Sequence, residues 1–344
     1  MQDFRQINVA VIGAGWVGGI RANACAASAF VDQLHIAETR PERAAEIAAE
    51  TGAVGVTGDW RTLLDNPEID AIIIASTPES ARFPIVRAAL QAGKHVMVEK
   101  PIAPTPAEAD EAIALADAGS LKLTVGYTRR FDPKYAYINK AIKSGAIGEP
   151  VTCLVSRNIT REIGTKIKGR SKMSPAAMGG THSIDFLLWC LQPRLPVTVY
   201  SQQSGKLYNR VSETPDHQWI MVTMDDGTTI TAGSGWILPL GYPQYSQSWI
   251  EVIGTDGALT VDDTHRDIRV NTVEHSIRYP LSSMPGEPVD HVFAGAMVDE
   301  TKHFIEAVAL DRPVLVTARE ARLVMDVTMA ADRSAETGEA VRLR

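Results

Sequence analysis

The sequence predicts a two-domain α/β protein. The first domain has a doubly wound parallel sheet, and the second has a large, mostly antiparallel sheet flanked by helices. Residues 1–125 alternate short Val- and Ile-rich runs with helical patterns, as βαβ units do. After Gly148-Glu149-Pro150, six strand-like runs follow one another between turn signals. The 344 residues also exceed one ordinary domain. We therefore expect a dinucleotide-type domain over 1–125 and a second domain over 126–344, with C-terminal helices at 291–337 packing back.

Composition excludes several classes of function. The net charge of −7 argues against nucleic acid as a bulk partner. No stretch approaches the ~18 apolar residues of a membrane span, so we expect a cytoplasmic protein without a membrane partner. The three cysteines have no CxxC spacing, which predicts neither a disulfide framework nor a metal site.

The first motif is a glycine-rich turn between a strand and a helix. The buried-strand pattern of Ile7–Ile12 leads directly into Gly13-Ala14-Gly15-Trp16-Val17-Gly18, and a helical pattern then continues to about residue 29. In a GxGxxG turn the first glycine allows the tight turn, the second lets a pyrophosphate approach, and the third packs helix on strand. The motif in this context predicts a bound dinucleotide.

An acidic residue follows the second predicted strand, residues 34–37. Glu38 stands 20 positions after Gly18, where a ribose-binding acid is expected, with Thr39 and Arg43 as further candidate cofactor residues. A carboxylate there accepts from ribose hydroxyls and repels a 2′-phosphate, which favours NAD over NADP. Arg40 and Arg43 could reverse that preference, although Arg43 fits better on a helix over Pro41–Thr51.

Two further strands end in polar residues at the same edge of the predicted sheet. The run 69–75 ends in Ser76-Thr77-Pro78, and the run 96–98 ends in Glu99-Lys100-Pro101. Open α/β sheets bind ligands beyond the carboxyl ends of their strands, so the Lys100 ammonium would stand at the crevice on a rigid element. The alternative is a solvated Glu-Lys pair at a strand end. Helices over 84–92 and Pro106–Ala118 and a last strand over 121–125 complete the domain.

These motifs resemble those of the glucose–fructose oxidoreductase, inositol dehydrogenase and rhizopine-catabolism (Gfo/Idh/MocA) family. The resemblance extends over nearly the whole chain. It is carried by the glycine turn, Glu38, Thr77-Pro78, Gly93-Lys94-His95-Val96, Glu99-Lys100-Pro101, Tyr127, Arg130-Phe131-Asp132-Pro133, Gly145-Ala146-Ile147-Gly148 and Arg333-Ser334-Ala335-Glu336-Thr337-Gly338.

The second domain is predicted to hold the substrate. A helix over 133–144 precedes strands at 151–159, 197–203, 218–224, 228–234, 248–254 and 258–261, and helices at 291–310 and 318–331 end the chain. The resemblance implies one large sheet whose open face makes homo-oligomer contacts, in a dimer or tetramer. Five aromatic residues are enriched here, Trp219, Trp236, Trp249, Tyr242 and Tyr245; most would pack in the sheet, and Trp236 is our candidate for the substrate pocket.

A histidine follows a glycine pair in Gly179-Gly180-Thr181-His182-Ser183-Ile184-Asp185-Phe186, which opens a helix to about residue 190. A lone histidine is usually structural, but the resemblance implies that His182 is catalytic, in an Asp-x-Gly-x-His-x-x-Asp pattern. Gly180, His182 and Asp185 match this pattern, whereas Met178 stands in place of its first aspartate. Three explanations stay open: His182 works with Lys100 alone, Asp185 takes over the orienting role, or the alcohol chemistry is lost.

Residues 157–172 carry six basic residues and one acid, Glu162. The bases are Arg157, Arg161, Lys166, Lys168, Arg170 and Lys172. They predict either a solvated loop or the recognition of an anionic substrate such as a sugar acid. Our candidate substrate-binding residues are Asp185, Tyr127, Arg130, Lys168, Arg170 and Trp236.

The resemblance implies an NAD(P)-dependent dehydrogenase that moves a hydride between a secondary alcohol of a polyol, sugar or sugar acid and the nicotinamide. His182 would exchange the hydroxyl proton, and Lys100 would donate a hydrogen bond to the same oxygen. The alternatives are an NADPH-dependent reductase of a keto-sugar or cyclic diol and a non-catalytic dinucleotide-binding regulator. NAD-assisted glycoside cleavage has no specific support in the sequence.

Overall fold

The computed structural model describes residues 5–168, 171–207, 214–263, 268–274, 277–279 and 286–343. Arg170 and the side chain of Lys168, two of the candidate substrate residues, lie outside the described part. The chain divides into two compact units. Unit 1 comprises Met1–Asp132 with Pro285–Arg322, and unit 2 comprises Pro133–Met284 with Leu323–Arg344. We describe each unit by itself.

The strands of the described residues, in chain order, are β1 (Ile7–Ile12), β2 (Val31–Ala37), β3 (Gly55–Thr57), β4 (Ala71–Ile74), β5 (His95–Val98), β6 (Leu123–Val125), β7 (Pro150–Thr160), β8 (Pro196–Ser204), β9 (His217–Met224), β10 (Thr229–Leu238), β11 (Ser246–Gly254), β12 (Ala258–Asp262), β13 (Glu287–Val289), β14 (Val292–Ala294) and β15 (Val341–Arg342).

The α-helices are α1 (Trp16–Ala26), α2 (Pro41–Thr51), α3 (Arg61–Leu64), α4 (Arg82–Gln91), α5 (Pro106–Ala118), α6 (Pro133–Lys143), α7 (Arg161–Lys168), α8 (Thr181–Leu191), α9 (Ala296–Ala309) and α10 (Ala318–Thr337). Short 3-10 turns lie at Glu79–Ala81 and Thr128–Phe131, and a π-helical turn at Ala176–Gly180 leads into α8. Across the described residues, none of the helices combines the length and the apolar character that crossing a bilayer requires.

Unit 1 is built on a parallel six-stranded sheet in the order β3-β2-β1-β4-β5-β6. The strand order reverses between β1 and β4, and in such sheets the reversal opens a crevice at the carboxyl ends of the strands. The central strands are apolar on both faces, because helices cover both sides of a parallel sheet; β4 is buried at every residue. The doubly wound fold predicted for this part is confirmed.

The predicted helix over 291–310 is wrong at its first residues. Residues 287–294 form a small antiparallel hairpin, β13 with β14, and α9 begins only at Ala296. Phe293 on the hairpin is partly buried, because it packs against a cluster that includes Ile20 of α1 and Met297 of α9. Gly295 has φ +120° and separates the hairpin from the helix.

Unit 2 contains a seven-stranded sheet in the order β12-β11-β7-β10-β9-β8-β15. β7 and β10 pair in parallel and the other neighbours are antiparallel, so the predicted mostly antiparallel sheet is confirmed. One face of this sheet is buried in the core of unit 2. A row of apolar side chains with 0–1% exposure crosses five of its strands, namely Val199, Val222, Ile230, Cys153 and Val252. The π-helical turn and α8 contact β10 on this sheet.

Candidate active site

The glycine turn of unit 1 is shaped by close backbone packing. Gly13 has φ +86°, and a Cβ on it would lie 2.7 Å from Cα of Ser76. A Cβ on Gly18 would lie 1.8 Å from the carbonyl oxygen of Gly13. A Cβ on Gly15, in contrast, would meet no atom within 4 Å. Two glycines are thus required by the fold, while Gly15 leaves open space in front of α1.

The residues around this space fit a dinucleotide. No side chain caps the N-terminus of α1, so its first N–H groups remain available to phosphate oxygens. Trp16 is 54% exposed at the first turn, whereas Val17 packs against the apolar cluster that includes Ile20. The Ser76 hydroxyl is buried and finds no hydrogen-bond partner among the described residues. A buried orphan hydroxyl beside the turn is the kind of group that a bound cofactor would satisfy.

Glu38 is held in place by hydrogen bonds from two directions. Its Oε2 accepts from the N–H of Ala14 at 3.0 Å, and its Oε1 accepts from the N–H and the Nε of Arg40, both at 3.0 Å. Mainly because of the hydrogen bond from the Arg40 side chain, the pKa of Glu38 falls to about 2. Arg43 lies on α2 as predicted and donates from Nε to the carbonyl of Ala14 at 2.8 Å. Thr39 is exposed beside them.

Arg82, which the sequence analysis did not single out, joins the two polar strand ends. It is 5% exposed. Its Nε donates to the carbonyl of Ser76 at 2.7 Å, and its Nη1 donates to the carbonyl of Lys100 at 2.8 Å. The Thr77–Pro78 and Lys100–Pro101 peptide bonds are both cis. The backbones at the ends of β4 and β5, including that of Lys100, are therefore fixed by one buried guanidinium.

Glu99 belongs to a buried ionic cluster. Arg21 of α1 donates from Nε to Glu99 Oε1 at 2.9 Å and from Nη2 to Glu300 Oε2 of α9 at 2.8 Å. Burial lowers the pKa of the Arg21 guanidinium, but the two carboxylates outweigh it and raise this pKa above its ordinary value. Arg21 therefore stays charged, and the cluster ties the cofactor helix to the residue before Lys100. A cofactor contact of Glu99 stays a prediction.

Two candidate substrate residues of unit 1 are buried. Tyr127 is 3% exposed and Arg130 is 2% exposed. The guanidinium of Arg130 forms an ion pair with Glu320 at 3.2 Å and donates to the carbonyl of Leu315 at 3.2 Å. Within unit 1 the charge of Arg130 is thus balanced by Glu320, and its role towards a substrate stays a prediction.

In unit 2, His182 lies in the first turn of α8 and is half-buried, whereas Asp185 is 0% exposed. Met178, the residue in place of the family aspartate, packs in an apolar cluster with Ile159 and Trp236. Trp236 is itself 2% exposed and forms part of this core. Met178 is 7% exposed, so the position of the family aspartate is buried in unit 2 and carries an apolar side chain.

A hydrogen-bond network fixes the turn that leads to His182. Asp332 of α10 accepts from Ser174 Oγ at 2.9 Å and from Gln218 Nε2 at 3.1 Å. Ser174 Oγ in turn accepts from the N–H of Ala177 at 3.1 Å, and Gln218 Oε1 accepts from the N–H of Ala176 at 3.2 Å. Burial raises the pKa of Asp332. The sequence held no signal for this role, because it depends on contacts between residues far apart in the chain.

The basic segment is partly neutralised within the chain. Arg161 donates from Nε to the carbonyl of Ile237 at 3.2 Å, and exposed Lys166 pairs with Glu162 at 2.9 Å. Arg157 differs, because it lies on β7 within the sheet rather than on α7. A Cβ placed on Gly179 would be 3.7 Å from its Nη1. Arg157 thus brings its guanidinium beside the turn before His182.

Comparison with known proteins agrees with this architecture. The model of an oxidoreductase family with an NAD-binding Rossmann fold, GFO_IDH_MocA, matches residues 7–127, and its C-terminal alpha/beta domain model matches residues 139–343. The scyllo-inositol 2-dehydrogenase (NAD(+)) of Bacillus subtilis is 27% identical over 98% of this chain and 96% of its own.

Solved structures show the same fold. The myo-inositol 2-dehydrogenase of Lactobacillus plantarum superposes with a TM-score of 0.87 at 21% identity, over 99% of this chain and 100% of that one. The scyllo-inositol dehydrogenase of Lactobacillus casei, solved with bound NAD(H) and scyllo-inositol, gives a TM-score of 0.84 at 20% identity, over 98% and 99% of the two chains.

Proposed function

Because the chain belongs to the Gfo/Idh/MocA oxidoreductase family, we propose that it transfers a hydride between a secondary alcohol of a polyol, sugar or sugar acid and NAD. Unit 1 is an NAD-binding Rossmann domain. The observation that carries the proposal furthest is the Arg82 bridge, which fixes the backbone of Lys100 at the edge where the glycine turn opens. A fixed backbone limits where the Lys100 ammonium can lie beside the dinucleotide site, and this supports a role in stabilising a reacting oxygen.

In this proposal Lys100 donates a hydrogen bond to the reacting oxygen and stabilises its developing negative charge. His182 accepts the hydroxyl proton on oxidation and returns it on reduction. With Met178 in an apolar cluster, no aspartate at that position orients the imidazole. The proposal therefore assigns proton transfer to His182 with Lys100, and Asp185 to orientation from inside the core. When bound, NAD supplies the hydride acceptor, and the protein supplies orientation and proton handling.

The substrate class is proposed from the relatives, several of which are named as inositol dehydrogenases. The Inositol 2-dehydrogenase 2 of Paenarthrobacter aurescens is 33% identical over 65% of this chain and 67% of its own. These names support a polyhydroxylated substrate. These names do not identify one polyol, and the proposal includes sugars and sugar acids as further possible substrates.

The test is a screen of inositols, alditols, sugars and sugar acids with NAD and with NADP, followed by absorbance of the reduced nicotinamide. The proposal predicts reduction of NAD by at least one secondary alcohol. Lys100→Met and His182→Ala should each lower kcat by at least ~100-fold, the scale of general acid–base groups. The exposed residues Lys302 and His291 offer matched controls, and Lys302→Met and His291→Ala should leave kcat unchanged. Near-normal rates in Lys100→Met or His182→Ala would refute the assignment.

We also propose a homo-oligomer formed through the outer face of the unit 2 sheet. This face exposes large apolar side chains on two strands, with Trp219 at 42%, Met221 at 52% and Ile253 at 38% exposure. Exposed apolar area of this kind marks interaction surfaces. Sedimentation of the protein should show a dimer or tetramer, and Met221→Glu should shift it towards the monomer; a monomeric native protein would contradict the proposal.

A further inference from the structure

The segment that joins α9 to α10 is held in unit 1 by side chains. We call this segment, residues 310–317, the strap. His303 of α9 accepts the N–H of Leu315 through Nε2 at 2.9 Å. The carbonyl of Leu315 accepts from Arg130 Nη1 at 3.2 Å, and the carbonyl of the next residue accepts from Thr124 Oγ1 at 2.8 Å. Because the strap lies in neither a helix nor a strand, these side chains determine its position.

The bond from Leu315 to His303 requires a neutral imidazole. Since Nε2 accepts, Nδ1 carries the single proton of the neutral ring, and a second proton would turn Nε2 into a donor. Two N–H groups would then face each other across 2.9 Å. The ring also packs against Phe131, with the two centroids 5.2 Å apart, which limits its freedom to turn away. Protonation of His303 therefore removes this attachment of the strap.

The elements around His303 carry charged side chains of both signs. On α9, the turn before Asp132, the strap and the start of α10, these include Glu306, Arg129, Arg130, Asp311, Arg312 and Glu320. Burial is the main cause that lowers the pKa of His303, and the charge of Glu306 opposes it by raising this pKa. The pKa remains below the ordinary 6.5, so the folded protein favours the neutral imidazole that the strap needs.

A second histidine supports the strap through a lysine. His95 accepts the N–H of Lys122 through Nδ1 at 3.0 Å, and Lys122 Nζ donates to Asp311 of the strap at 2.9 Å. A protonated His95 would lose this acceptor and place a second positive charge beside Lys122. Burial lowers the pKa of His95, the charge of Lys122 lowers it further, and Asp70 and Asp311 oppose this shift. Both histidines therefore favour the attached strap only while they are neutral.

We propose that the strap is acid-sensitive: uptake of a proton by His303, and of another by His95, loosens residues 310–317 at mildly acidic pH. The bonds from Arg130 and Thr124 do not titrate in this range, so the strap loosens while the rest of unit 1 stays folded. Because Arg130 is a candidate substrate residue, the movement would reach a side chain that the proposed function uses, and this consequence alone rests on that function.

The pKa shifts determine the direction of the pH effect. Both histidines have folded pKa values below the ordinary 6.5, so the attached strap binds protons less readily than the loosened strap does. The attachment is fully present above about pH 6.5 and weakens as the pH falls below that value. If the loosened strap titrates at the ordinary value, one histidine raises its population by up to ~10-fold between about pH 7.5 and about pH 5.5.

The experiment measures amide hydrogen exchange of the full-length protein at about pH 7.5 and about pH 5.5, expressed as protection factors because intrinsic exchange itself depends on pH. We expect the protection of the Leu315 amide to fall at least ~5-fold in the wild type. The side-chain carbonyl in His303→Gln can accept the same N–H and does not titrate, so the fall should be less than ~2-fold. His95→Gln should reduce the fall in part. The control His291→Gln replaces an exposed histidine and should retain all of it.

Exchange at the buried strand β4 serves as the internal reference, and none of these measurements needs turnover. The inference is overturned if the protection of Leu315 does not change with pH in the wild type, or if His303→Gln retains the full change. It is also overturned if β4 loses protection as much as the strap does. An NMR titration of the wild type needs no variant: the His303 ring and the Leu315 amide should titrate together, and midpoints more than about one pH unit apart would contradict the proposal.

Discussion

The guanidinium of Arg82 donates a hydrogen bond of 2.8 Å to the carbonyl oxygen of Lys100, and the same side chain holds the carbonyl of Ser76 at 2.7 Å. The two carbonyls follow adjacent parallel strands, β4 and β5. One buried side chain thus sets the separation of two segments at the crevice edge. This relationship fixes the position of Lys100 through its backbone carbonyl.

Replacing Arg82 tests this role. Arg82→Met leaves two buried carbonyls without their charged donor, and we expect the free energy of unfolding to fall by about 2–4 kcal/mol. Because Lys100 would lose its fixed position, kcat should fall at least ~10-fold while the KM for NAD changes less. Arg82→Lys can supply one of the two bonds and should lie between. Denaturant unfolding and steady-state kinetics measure both effects; an unchanged kcat in Arg82→Met would show that Lys100 does not depend on it.

The glycine turn offers a matched pair of variants. Gly15→Ala should fold normally, since its Cβ meets nothing within 4 Å and its φ of −63° suits alanine. The added methyl would occupy the open space, so NAD affinity should fall at least ~10-fold. Gly18→Ala should instead destabilise the fold, because its Cβ would lie 1.8 Å from a carbonyl oxygen. Thermal unfolding and NAD titration separate the two outcomes. Normal NAD binding by Gly15→Ala would place the cofactor elsewhere.

Glu38 should set cofactor choice over the whole working pH range. Its carboxyl has a pKa of about 2, mainly because of the Arg40 side chain, so it stays ionised at every pH above about 4. Glu38→Gln removes the charge that repels a 2′-phosphate and leaves the Arg40 guanidinium without a carboxylate partner. The ratio of kcat/KM for NADP to kcat/KM for NAD should therefore rise at least ~10-fold. A ratio that stays constant in the variant would contradict this assignment.

The same pKa shift predicts a pH dependence of stability. Because the folded pKa lies below the ordinary value of 4.5, the contribution of Glu38 is fully present above about pH 4.5 and is lost as the pH falls towards 2. Urea unfolding of the wild-type protein and of Glu38→Gln should therefore differ at pH 6, and the difference should shrink below pH 4.5. A difference that is independent of pH would exclude the ionised pair as its cause.

The pKa of Asp332 shifts in the opposite direction from that of Glu38. The predicted change of stability with pH is therefore also opposite. Burial raises its pKa, so the folded state binds the proton more readily than the unfolded state does, and stability falls as the pH rises above the ordinary 3.8. Asp332→Asn keeps an acceptor for Gln218 and offers a donor to Ser174 Oγ, so it should gain stability relative to the wild type as the pH rises. Asp332→Leu removes the network and should lower kcat ~10-fold through the turn before His182. Equal kcat values for the Asn and Leu variants would exclude a positioning role.

Local signals were enough to predict most of unit 1. Strand β1 and helices α2 and α5 have the predicted bounds, because strand burial, a proline in the first turn and the Thr105–Glu108 capping box are all local in sequence. The family resemblance is confirmed by the family models. Strands β3 and β15 were missed, since three and two residues are too few to show a period.

Long-range contacts account for what the sequence could not reveal. In the hairpin β13–β14, Phe293 would also suit a helix. Its packing against the cluster on α1 is a long-range contact that the local sequence pattern does not show. Arg82 and Asp332 look like ordinary surface residues of helices in the sequence, and their partners lie 18 and 158 residues away. The roles of Lys100, His182 and Asp185 rest on resemblance and stay predictions.

The most direct test of the central claim is a single-turnover experiment with a polyol deuterated at its carbinol carbon, mixed with the NAD holoenzyme. The account predicts that the deuterium appears on the reduced nicotinamide in the wild-type protein. It also predicts that transfer is at least ~100-fold slower in Lys100→Met, although that variant still binds NAD. Reduced nicotinamide without deuterium, or undiminished transfer in Lys100→Met, would contradict it.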